Sequence, residues 1–268
     1  MSVSLADYKA DRNEPLKVVP LRSRLDAAYL WFNIAVLIAS FGFVYVVRAI
    51  IGRYPFSLYR DFEWSFAYQA HTAIGLFVLL LLLFQPATGL LGQSRKFPRK
   101  LHKRFGMWVF ALLMIYGITA TVSFVYWNIY HPEPYNRGVY STFGLIWAGG
   151  GATVFLIRAI MEIKRRNILE HKIDMMFACA IFSSVGLTRM VTFTLKTLGH
   201  DPFTTTYTLG FLPEDAITYM EMQTFVTSAL FAVVWFVYAA FRGVLPTQRW
   251  KNAYCIVPFL VFSVVLAL

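Results

Sequence analysis

SFAYQAHTAIGLFVLLLLLFQPATGLL, residues 65–91, contains no Asp, Glu, Lys or Arg and runs without a polar side chain from Leu76 to Phe84. At about 1.5 Å per residue a helix of this length reaches about 40 Å, more than a hydrocarbon core of about 30 Å. Apolar residues here do not alternate with polar ones, as a half-buried strand requires, so the segment reads as a transmembrane helix. Six further runs match it, at 27–47, 105–127, 139–162, 173–196, 216–241 and 252–268. The chain is therefore expected to be an all-α, polytopic transmembrane helical bundle of about seven spans. A segment 1–26 precedes a single domain 27–268.

Composition agrees. Of 268 residues, 58% are hydrophobic and 18% aromatic, more than one water-soluble core can enclose, so the surplus faces lipid. Lys and Arg crowd alternate connections: Lys9, Arg12, Lys17, Arg22 and Arg24 before the first span, six between Arg95 and Arg104, the group from Lys164 to Lys172, and Arg249 with Lys251. The positive-inside rule puts these in the cytoplasm, with the N-terminus inside and the C-terminus outside. The same rule accounts for the net charge of +11 without nucleic acid. The polar first 26 residues do not resemble a cleavable signal peptide. Cys179 and Cys255 fall within apolar runs and read as small buried hydrophobes.

Ionisable groups at hydrocarbon depth mark function, because each is costly unless paired or facing a cavity. His71, Arg189 and Glu221 are expected about 8 to 12 Å below the outer surface, counting about 1.5 Å per residue. They define an outer polar site for a proton, a quinone-like molecule or a small anionic redox substrate, with an Arg189–Glu221 ion pair as the purely structural alternative. At the inner face His102 opens the third span and His171 the fifth, among Arg99, Lys100, Lys103, Arg104 and Lys172. Two imidazoles on parallel helices at one depth suit axial ligation of a haem iron, with the cations on its propionates. Ordinary interfacial histidines are the alternative.

His171 and Arg189 lie 18 residues apart, five helical turns, and so share a face. His71 and Gln85 lie 14 apart and form a polar stripe. Pro86 is expected to kink the second span. Gly149, Gly150 and Gly151 bare the backbone of the fourth to a close neighbour. His131, between prolines, is a candidate partner for His71 at a second haem, and His200 reads as solvated.

His71-Thr-Ala-Ile-Gly75, Gln85, Gly89, Arg99-Lys-Leu-His102-Lys-Arg-Phe-Gly106, Leu145-Ile-Trp147, His171-Lys-Ile-Asp-Met175-Met176 and Arg189 together resemble an uncharacterised multispan family, domain of unknown function 2306, over about residues 65–195. Its pattern has Arg where this chain has Lys103 and Lys172, and Trp where it has Asp174. More distantly the chain is similar to two-haem b-type cytochromes that carry electrons across membranes from ascorbate. That resemblance implies haem b, and here one inner haem rather than two, since the fourth histidine would have to be His131. The functional expectation is a membrane redox protein. A haem-free proton-coupled transporter or sensor, or an accessory subunit of a membrane complex, are the alternatives.

Overall fold

Residues 24–41, nine positions between 74 and 89, 96–130, 138–200, 205–208 and 216–267 are described in the computed structural model. The elements are α1 (Arg24–Phe41), α2 (Lys96–Tyr130), α3 (Gly138–Lys164), α4 (Ile168–Thr197), β1 (Thr206–Thr208), β2 (Ala216–Thr218), α5 (Tyr219–Arg242) and α6 (Arg249–Ala267). The nine positions between α1 and α2 are also helical. The chain is an all-α transmembrane bundle. Among the described residues, Thr142–Lys164, Ile168–Thr192 and Tyr219–Arg242 are long and apolar enough to cross a membrane, and Leu25–Ser40 is a shorter apolar helix.

The central helix is α4, which packs against α3, α1 and α5. A tight turn joins α3 to α4. Arg166 takes a left-handed conformation at φ 63°, Asn167 donates its N–H to the Glu162 carbonyl, and the Asn167 Oδ1 caps α4 by accepting from the Glu170 N–H. The two helices thus form an antiparallel hairpin whose core is aromatic: Phe177 and Trp235 are fully enclosed, with ring centroids 4.5 Å apart, and Phe155 lies 4.6 Å from Phe177.

Lipid is as apolar as a leucine side chain, so helix association in a bilayer depends on close packing and interhelical hydrogen bonds. Both occur between α1 and α4. Gly186 lets the Ser40 side chain sit where its own Cβ would be, and the Ser183 hydroxyl donates to Asn33 Oδ1 at 2.7 Å. Outward lie Trp31, Phe32, Trp108, Ile146, Val154, Val233 and Phe241, all exposed in the isolated chain as lipid-facing side chains should be.

Four helix starts differ from those read from sequence. The basic stretch 95–104, expected as a loop, is helical from Lys96, since Lys and Arg are good helix formers and Pro98 is tolerated in a first turn. The sixth span was expected from Ala216, but residues 216–218 pair as a strand with β1 and the helix starts at Tyr219. A Thr218–Glu221 capping box fixes that start. Helices α4 and α6 each begin a few residues earlier than expected, which brings His171 and Lys251 into their first turns.

A second feature of α6 was not expected. Pro258 lies inside it and cannot donate to the Tyr254 carbonyl one turn back. The Trp147 indole N–H of α3 donates there instead, at 3.1 Å, and the Tyr254 hydroxyl returns a bond to the Trp147 carbonyl at 2.8 Å. The two rings stack at 4.4 Å. Gly151 makes room, its missing Cβ replaced by the Tyr254 ring, whereas Gly149 and Gly150 have nothing within 4 Å.

Candidate functional site

His102, in the second turn of α2, is held by a reciprocal clasp. Its Nδ1 lies 3.0 Å from the Gln85 carbonyl oxygen, and the Gln85 side-chain amide donates to the His102 carbonyl at 2.8 Å. A carbonyl only accepts, so Nδ1 carries the proton, and in the neutral ring Nε2 keeps a free electron pair. Two glycines make the approach close enough. A Cβ on Gly89 would stand 3.1 Å from His102 Cε1 and 3.2 Å from Nδ1, and one on Gly106 would stand 2.8 Å from the Gln85 amide nitrogen.

His171, in the first turn of α4, repeats the arrangement on another helix, with Nδ1 2.8 Å from the Ala159 carbonyl oxygen of α3. Its Nε2 is likewise the unprotonated nitrogen. Burial holds the proton affinity of His102 below the ordinary histidine value, the Gln85 carbonyl opposes that, and the charge of His171 adds to the lowering. Around the two rings, Lys103 and Arg104 are exposed on α2, and Lys172 is half-buried on α4.

One turn along α4 from His171 lies a charge network that the sequence reading did not single out. Asp174 is 0% exposed, with Lys251 Nζ 2.5 Å from its Oδ1 and Arg158 Nε 3.5 Å from its Oδ2. Neither Asp174 oxygen accepts a well-directed hydrogen bond, so these contacts are ion pairs by distance rather than by alignment. Lys251 is 1% exposed, donates to Gln248 Oε1 at 2.6 Å and sits 5.5 Å from the centroid of the Phe155 ring. Gln248 in turn donates to Glu170 Oε1 at 3.1 Å. Burial lowers the proton affinity of Lys251, and Asp174 works against the loss. A second pair ties α1 to α5 at the same end of the bundle, with Arg242 Nε 2.7 Å and the Tyr238 hydroxyl 3.0 Å from Asp26 Oδ1.

A family model described as "Predicted membrane protein (DUF2306)" matches residues 67–213, more than half of the chain. The chain belongs to the DUF2306 family. No curated protein and no solved structure matches it. The DUF2306 segment contains His71, Gln85, Gly89, His102, Gly106, His171, Asp174 and Arg189, while Glu221, Gln248 and Lys251 lie beyond it. Lys251, the partner that α6 supplies to Asp174, therefore comes from outside the family segment.

Of the proposed outer group, His71 lies outside the described residues, as does His131. Arg189 lies in α4 and Arg99 in α2, but their side chains also fall outside the described residues. Glu221 sits in the first turn of α5, nearer the helix end than the sequence suggested. Its Oε2 accepts from the Thr218 N–H at 3.1 Å and the Thr218 hydroxyl at 3.0 Å, and its Oε1 from the Tyr140 N–H at 3.4 Å. This carboxylate caps one helix and grips the start of another. His200 is half-buried.

Proposed function

We propose that this DUF2306 chain is a membrane redox protein that holds one b-type haem between His102 and His171 and passes single electrons through it. The observation that supports the reading is the tautomer common to the two rings. Each spends its Nδ1–H on a backbone carbonyl of a neighbouring helix, 3.0 Å away for His102 and 2.8 Å for His171, so both Nε2 electron pairs would be available to hold the haem iron. A hydrogen bond from the far ring nitrogen to a carbonyl fixes the tautomer and raises the basicity of an imidazole ligand. Arg99, Arg104, Lys103 and Lys172 supply positive charge at the same end of α2 and α4, suited to two propionates. When bound, the haem supplies the one-electron chemistry. The protein's own share is to orient two neutral imidazoles and to exclude water from them.

An outer site at His71 and Arg189 then takes a quinone-like or small anionic redox substrate, with Arg189 as the anion-attracting group. A second reading, a haem-free proton-coupled transporter, draws on the Arg158–Asp174–Lys251 network, since charges buried in a bundle commonly mark ion pathways. Titration of the detergent-purified chain with hemin separates the two. One haem per chain, lost in His102→Ala and in His171→Ala, supports the redox reading. A folded chain that takes up no haem rejects it and turns attention to pH-dependent binding that Asp174→Asn weakens.

A further inference from the structure

We infer that Gly89 and Gln85 are positioning residues for His102, which together keep its ring in the Nδ1–H tautomer and reserve Nε2 for a ligand. The haem consequence rests on the reading above; the tautomer itself does not. A polar residue stands four positions before a glycine on each helix, Gln85 before Gly89 and His102 before Gly106. Each polar side chain lies over the partner's glycine and bonds to the partner's carbonyl. Residues four apart share a helix face, so both halves of the clasp fall on one contact line. The Trp147–Tyr254 pair exchanges the same two kinds of bond, with one such glycine, Gly151, four positions after Trp147. An indole or a phenol has no choice of tautomer, however, so that pair only binds helices together. With an imidazole the same geometry also decides which nitrogen holds the proton.

The ring has little room to leave this arrangement. Carbon atoms in ordinary contact stand about 3.5 to 4.0 Å apart, so a Cβ at 3.1 Å from Cε1 and 3.2 Å from Nδ1 pushes the ring off the Gln85 carbonyl. Gln85 controls the other half, because its amide fixes the α2 backbone at His102 while its own backbone carbonyl receives Nδ1–H. The Thr88 hydroxyl also donates to that carbonyl at 3.0 Å, which holds the acceptor in place. Freed from the clasp, the ring is open to the Nε2–H tautomer, which has no electron pair for a metal at that nitrogen.

The test is nitrogen NMR of the full-length chain in lipid nanodiscs, labelled with ¹⁵N-histidine and prepared without added haem. The chain has five histidines, and the His102 signals are those missing from His102→Gln. The wild type should show His102 with Nδ1 protonated and Nε2 bare. Gly89→Ala should move His102 part of the way to Nε2–H, and Gly89→Val and Gln85→Leu further, with the His171 signals unchanged. Gly149→Ala, where nothing lies within 4 Å, should leave both rings unaltered. Nε2–H at His102 in the wild type overturns the inference, as does an unchanged signature in folded Gly89→Val. Should the larger substitution prevent folding, the wild-type tautomer and Gly89→Ala decide. In parallel, hemin affinity should fall by about tenfold or more in Gly89→Val, the range typical when a ligating histidine loses the hydrogen-bond partner of its other nitrogen. A wild type that takes no haem yet shows the Nδ1–H tautomer removes the redox reading and leaves the positioning role standing.

Discussion

Replacing Lys251 by Met tests the buried charge network most sharply. The substitution removes the cation 2.5 Å from Asp174 Oδ1 and leaves that fully enclosed carboxylate with the Arg158 Nε at 3.5 Å, on a side chain that is one-third exposed, as its remaining ion pair among the described residues. Breaking a buried pair from one side typically costs about 3–5 kcal/mol, and the remaining Arg158 contact places this case near about 3. Asp174→Leu should cost less, about 2 kcal/mol, because Lys251 keeps Gln248 at 2.6 Å and has Glu170 at 4.0 Å. The double variant should recover most of both losses, since Met and Leu beside the Phe155 ring fill the space without stranding a charge. Reversible unfolding in mixed micelles of rising SDS content measures all four corners of the cycle. Additive losses would refute the reasoning, for they would mean that Lys251 reaches water along its own stem, as long cationic side chains often do.

Other consequences follow from single contacts. Gly186→Val must displace Ser40, whose Cβ lies 3.0 Å from the added atom, and should lower stability by about 1–3 kcal/mol in the same unfolding assay. Trp147→Phe keeps the stack on Tyr254 but leaves the Tyr254 carbonyl without a donor, because Pro258 cannot replace it; a loss of about 1–3 kcal/mol is expected, larger than that of Tyr254→Phe. In haem-free protein, His102 holds its proton less tightly than the unfolded chain does. Between its folded value and about 6.5 the unfolded state binds more protons, so stability falls as pH drops through that range. His102→Gln should flatten this part of the pH profile.

Much of the architecture was legible because it follows from bulk apolar patterning. A segment such as 65–91 has no alternative to a bilayer, and a run of Lys and Arg marks a connection at the water boundary. The pairing of His102 with Gln85, Gly89 and Gly106 was only half visible: the residues stood out, but their reciprocal hydrogen bonds depend on how two helices close on each other. Asp174 and Lys251 were read as a departure from a family pattern and as part of a basic flank, since a residue's partner across the bundle leaves no trace in local spacing. Arg158, inside an apolar run, was the one available sign that a buried acid should be sought nearby. Glu221 was taken for a pocket residue although Thr218-x-x-Glu221 already spells a capping box. Pro258 was equally readable as a lost donor, but the Trp147 indole that replaces it was not.

The redox account is tested most directly by a reduced-minus-oxidised visible spectrum of the purified wild-type chain. It predicts a Soret band and a sharp α band of a low-spin haem with two histidine ligands, absent from His171→Ala. A chain that folds, stays colourless and gains no bands on addition of hemin would contradict it.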